Sequence, residues 1–164
     1  MLDQLAIWTA NYLLFLIVGI AVVYILTRPR RERIHLAIFG GLVLLLVFLV
    51  SAFASALYKN PRPFVVGHFT PLIPHKPGNG FPSGHMLWSA GIAAFIFPSN
   101  RYLSAVLWML SIAVGAARVY VGVHHPIDII GSVVIVVVVS ALVDFALRRL
   151  NVLDRLKKSR RKPA

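Results

Sequence analysis

The sequence predicts an all-α protein, a polytopic membrane helix bundle with about five transmembrane helices. Three observations carry this. Of the 164 residues 59% are hydrophobic and only 13% are charged, where ordinary soluble domains carry about 25% charge. Mean hydropathy is +0.80. The apolar residues also gather into long runs, several near the ~20 residues that a helix needs to cross a hydrocarbon core.

In chain order, Leu5 to Leu26 is the first run and has no charge. It follows an acidic start and is about twice as long as a signal-peptide core, so it reads as a retained span. Ile34 to Leu57 is the second, with His35 near one end. A loop follows from Tyr58 to Phe81. With Pro82 just beyond it, this region holds six of the ten prolines (Pro61, Pro63, Pro71, Pro74, Pro77, Pro82), a density that excludes a regular helix. Met86 to Phe97 is short and crosses only if tilted or helped by His85 and other flanking residues. Tyr102 to Gly122 carries Arg118 near its end, and Ile127 to Leu147 carries Asp128 at its start and Asp144 near its finish. The segment VVIVVVV in this last run has strand propensity, but an open sheet edge has no partners in lipid. Residues 1–147 therefore form one membrane-embedded unit, and 148–164 a basic tail.

Charge distribution decides what the net +12 is for. Eight of the 17 Lys and Arg residues lie between Arg148 and Lys162, and four lie in RPRRER at 28–33. Such juxtamembrane clusters meet anionic lipid head groups, and nucleic acid is not an expected partner. With five spans, 13 positive residues share one side and Lys59, Arg62, Lys76 and Arg118 the other. The richer side is expected in the cytoplasm, which sends the Pro-rich loop and the His124–His125–Pro126 turn outward. Cysteine is absent, so neither disulfides nor a thiolate metal site enter.

Three polar groups then converge on the outer face: YKNPRP at 58–63, FPSGH at 81–85 and RVYVGVHHPID at 118–128. Ionisable residues at membrane depth are costly and point to function. Ser83 suits an N-cap and Gly84 a close backbone approach. Two helices starting here aim free N–H groups and positive dipole ends at the same place. Arg62 and Arg118 can grip phosphate oxygens in a forked way. The same arginines would repel a cation, which weighs against a metal held by His85, His124, His125 and Asp128. Asp128, four residues after His124, can accept from its Nδ1–H and leave Nε2 as a nucleophile, with His85 free to act as acid.

These motifs resemble the type 2 phosphatidic acid phosphatase family of membrane lipid phosphatases. Pro82-Ser83-Gly84-His85 is similar to its second motif, and Arg118, His124 and Asp128 match the third at full spacing. Of the first motif, Arg62 and Pro63 match, but Ser55 stands where the family has a lysine. Lys59 is an expected substitute. Ala117 stands where a serine usually precedes the motif arginine. The resemblance implies catalysis by His124, His85 and Asp128, phosphate binding by Arg62, Ser83, Gly84 and Arg118, and no cofactor or metal. The pattern is closest to the family's bacterial undecaprenyl-diphosphate phosphatases, in a bacterial cell membrane with an outward site. Other lipid phosphates, a phospholipid-binding or transport protein that does not hydrolyse, and a haloperoxidase-like use of the site remain alternatives.

Overall fold

Each apolar run is helical in the computed structural model, which describes residues 1–149. The elements are α1 (Leu2–Leu26), α2 (Arg30–Leu57), α3 (Pro63–Val66), α4 (Gly84–Ile96), α5 (Arg101–Tyr120) and α6 (Pro126–Arg149). Helices α1, α2, α5 and α6 have 25, 28, 20 and 24 residues. At about 1.5 Å per residue each reaches the ~30 Å of a bilayer core. Among the described residues the only strand-like pairing is an isolated bridge between Pro61 and Asn79. The VVIVVVV segment lies inside α6.

The short run resolves itself by position. With 13 residues, α4 is about 20 Å long, too short to cross lipid alone. It is instead the central helix, packed against α1, α2, α5 and α6, and Ser89 to Ile96 are all buried. Lipid does not have to meet its ends. Close approach to α4 depends on small residues. A Cβ on Gly40 of α2 would lie 3.1 Å from the Phe95 ring, and one on Gly91 would lie 2.8 Å from the Leu44 side chain, whereas Gly41 meets nothing within 4 Å. The outer faces leave Phe15, Val23, Phe53, Met109, Leu142 and Phe145 exposed, a surface that suits hydrocarbon rather than water.

The two ends of the bundle differ. At one, Tyr24 Oη and Ser99 Oγ are 2.6 Å apart, Ser99 also donates to Glu32, and Asn100 caps α5 by accepting from Leu103 N at 2.9 Å. These bonds tie the α1–α2 and α4–α5 turns together. The other end carries the Pro-rich loop. That loop contains one helical turn, α3, because Pro63 occupies a first-turn position where its missing N–H costs nothing. Helix α5 stops at Tyr120, short of the expected Gly122, since Gly122 takes φ +83° and turns the chain out of the helix. Helix α6 runs to Arg149, and the basic tail from residue 150 lies outside the described residues.

Candidate active site

At the loop end, a side-chain clamp assembles three segments. Asn79 Nδ2 lies 3.1 Å from Ser55 O, 2.9 Å from Ser55 Oγ and 3.0 Å from Tyr58 O. Its Oδ1 accepts from Asn60 N at 2.8 Å and Phe81 N at 3.2 Å. The end of α2 is thereby fixed to the segment leading into α4. Phe81 packs edge-on against Tyr58 with centroids 4.9 Å apart. Its ring also lies over Gly131 of α6, where a Cβ would come within 2.2 Å. Ser132, one turn after Asp128, completes the joint: its Oγ donates to Asp128 O at 2.6 Å and accepts from Ser83 N at 2.9 Å.

His124 and Asp128 meet as their spacing predicts. His124 Nδ1 is 3.3 Å from Asp128 Oδ2, and both residues are buried. The carboxylate is held from two further directions, with Asn60 Nδ2 donating to Oδ1 at 2.7 Å and His125 N to Oδ2 at 2.8 Å. Burial, then the positive charges of Arg118 and Arg62, pushes the His124 pKa down to about 4, with Asp128 pulling the other way. The ring is therefore neutral near pH 7. With Nδ1–H turned to Asp128, Nε2 keeps a lone pair, and it stands 3.5 Å from Arg62 Nη1.

Several polar groups at this end of the bundle are only partly satisfied. Arg62 Nη1 donates to Val123 O at 2.8 Å, while Arg62 Nε, Arg118 Nε and Ser83 Oγ are buried without a hydrogen-bond partner. Arg118 is 3% exposed and Ser83 0%. Buried groups left unpaired cost about 1–3 kcal/mol each, and a ligand rich in acceptors would offset that cost. Ser83 stands at the N-cap of α4, yet its hydroxyl makes no cap bond and stays available. The first N–H groups of α4 have no acceptor within the helix, and nothing lies within 4 Å of a Cβ built on Gly84. At the start of α6, the His125 N–H is spent on Asp128 Oδ2 and the Asp128 N–H on His125 O at 3.0 Å.

His85, in the first turn of α4, is half-buried and shares its surroundings with Arg118 and His75. The candidates Arg62, Ser83, Gly84, His85, Arg118, His124 and Asp128 thus come to one end of the bundle. Lys59 is different: its exposed ammonium donates to Ser55 O at 2.8 Å, outside the hydrogen-bonded cluster. No motif points to Asn60, Asn79, Gly80 or His75, whereas Ser132 could have been found from its one-turn spacing to Asp128. Gly80 leaves the carboxylate no room to spare, since a Cβ there would lie 2.8 Å from Asp128 Oδ2 and 3.2 Å from Asn60 O. Gly80→Ala should cut kcat about 10-fold to 100-fold by displacing the carboxylate. Gly19→Ala, which meets nothing within 4 Å, should leave kcat unchanged in the same assay.

Two cavities adjoin the cluster. One of about 410 Å³ lies beside His124 and is bounded by Phe69, Leu72 and Tyr120. The other, about 290 Å³, runs between α2 and α4 from Leu44 and Phe48 up to Ser55, Asn79 and Gly84. Apolar walls thus lead from the lipid-facing side to the polar end.

The chain matches the PAP2 superfamily over residues 35–149. It is 26% identical over 141 residues to undecaprenyl-diphosphatase BcrC of Bacillus subtilis (strain 168), covering 86% of this chain and 72% of that one. It is 32% identical over 103 residues to phosphatidylglycerophosphatase B of the same organism, covering 56% and 50% of the two chains. The fold is similar to the crystal structure of Aquifex aeolicus LpxE, with a TM-score of 0.66 at 21% identity, over 87% of this chain and 84% of that one. With the family match spanning most of the chain and, among the described residues, four helices long and apolar enough to cross a membrane, the protein belongs to the PAP2 superfamily and is a multi-pass membrane phosphatase, a phosphoric ester hydrolase.

Proposed function

We propose that this phosphatase hydrolyses undecaprenyl diphosphate to undecaprenyl phosphate and phosphate through a phosphohistidine at His124. The observation that carries it is the neutral, Asp128-held imidazole standing beside buried, unpartnered donors of Arg62, Arg118 and Ser83. In this scheme Nε2 of His124 attacks the terminal phosphorus, the P–O bond to the lipid phosphate breaks, and His85 protonates the departing oxygen. Arg62, Arg118, Ser83 and the amides at Gly84 hold the phosphoryl oxygens as charge spreads over them. Water then attacks phosphorus, His85 takes its proton, the P–N bond breaks and inorganic phosphate leaves. A capture protein would need the arginines and the helix start but not a nucleophile with its own carboxylate.

The choice of lipid draws on the relative named undecaprenyl-diphosphatase, whose match covers 86% of this chain, and on the apolar cavity between α2 and α4 as a seat for a long chain. The basic segment 28–33 and Arg148 and Arg149 at the opposite end, with the further Lys and Arg residues that follow them in the sequence, favour a cytoplasmic placement against anionic lipid, with the site facing the exterior or periplasm of a bacterial cell membrane. A panel of purified protein against undecaprenyl diphosphate, phosphatidylglycerophosphate, phosphatidate and lipid A tests the choice. Highest kcat/KM on undecaprenyl diphosphate is expected. Faster release from phosphatidylglycerophosphate would transfer the assignment to that lipid, and no release from any would favour the capture protein.

The pH profile tests the nucleophile. Only the neutral His124 ring can attack, so the acid limb of kcat/KM, which reports the free enzyme, should fall as pH drops through about 4. An acid limb near the ordinary imidazole value of about 6.5 would contradict the buried, arginine-flanked state.

A further inference from the structure

The Pro-rich loop brings one more imidazole to the site. The His75 ring lies 6.4 Å from that of His124, centroid to centroid, at an interplanar angle of 73°. It is within electrostatic reach of Arg62 and Arg118, and of His85. Its placement is anchored two residues earlier. Ile73 is 4% exposed and packs with Ala10, Ala117, Val121 and Val123, and Leu72 N donates to Val121 O at 3.0 Å. Nδ1 of His75 is 3.2 Å from the Lys76 carbonyl, which places the ring proton on Nδ1 and leaves Nε2 to meet a ligand.

We propose that His75 is a third imidazole in contact with the phosphoryl group, binding a non-bridging oxygen of the phosphorus that His124 attacks. The proposal rests on the lipid phosphatase assignment above. A hydrogen bond spans about 2.9 Å, so an oxygen between rings this far apart lies within reach of both. Burial lowers the His75 pKa, the Lys76 carbonyl raises it, and Arg62 and Arg118 lower it again, so the free protein holds it neutral. A bound dianion offsets the two guanidinium charges, the ring takes up a proton, and Nε2–H donates to the phosphoryl oxygen. Lys59, with its exposed ammonium on Ser55 O, has no such position. Nor do the imidazoles form a metal set: among the described residues no three His, Cys, Asp or Glu side chains are grouped to hold one.

The test uses the full chain in detergent, with undecaprenyl diphosphate as substrate and orthovanadate as a free phosphoryl mimic. His75→Ala should lower kcat/KM and raise the vanadate inhibition constant, each about 10-fold, the scale of one lost hydrogen bond to a charged group. His68→Ala, at an exposed loop position, should change neither. If the Ala variant does not fold, His75→Phe keeps a ring without a donor and carries the same expectation. Unchanged vanadate affinity in the folded variant overturns the proposal even if turnover falls, because only the loop has then been disturbed. Failure of the parent assignment looks different: the wild-type protein would release no phosphate, or His124→Ala would not abolish release.

Discussion

His124→Ala should abolish phosphate release, by at least about a thousandfold, the scale of losing a nucleophile, while the bundle stays folded. The residue lies in the turn between α5 and α6 and contributes to neither helix ladder. Its removal leaves Arg62, Arg118, Ser83 and the start of α4 in place, so vanadate should still bind. Turnover and an unfolding curve on the same preparation separate chemistry from stability. A folded variant with wild-type turnover would rule out nucleophilic attack by this ring.

The second large effect is expected at Asp128. Its Oδ1 accepts from Asn60 Nδ2, and its Oδ2 accepts from His125 N and faces His124 Nδ1. All of these partners can donate, so the position calls for a group that only accepts. Asp128→Asn puts an amide NH₂ against Asn60 on one side, or against His125 N–H and His124 Nδ1–H on the other. Either orientation sets donor against donor, and the second drives His124 toward the tautomer with its proton on Nε2, where no lone pair remains for phosphorus. A loss in kcat of about 10²- to 10⁴-fold is expected, on the scale of the same substitution in serine protease triads, with KM changed far less. Near-normal kcat in Asp128→Asn would mean that the tautomer is set by something other than this carboxylate.

How much of this was legible in the sequence depends on the range of the interaction. Long apolar runs gave α1, α2, α5 and α6, because a bilayer imposes a length that composition reveals directly. The place of α4 was not readable: a 13-residue helix is central only because Gly40 and Gly91 let α2 come close, and that is pairwise packing. Residues with a fixed helical spacing, such as His124 and Asp128, could be paired from the chain alone. Asn60 and Asn79 could not, since they act across 68 and 24 residues on Asp128 and Ser55 from a loop with no period. Lys59 shows the reverse case. Charge and proximity to Arg62 made it a phosphate ligand on paper, while the extended backbone at Tyr58 is followed by a lysine turned back onto α2.

The most direct test is the stereochemical course at phosphorus. Attack by His124 and then by water makes two in-line displacements, each inverting the centre, so a chirally labelled phosphoryl substrate should give product with net retention. Net inversion would mean that water attacks the lipid phosphate in one step, and the covalent role given to His124 would be contradicted.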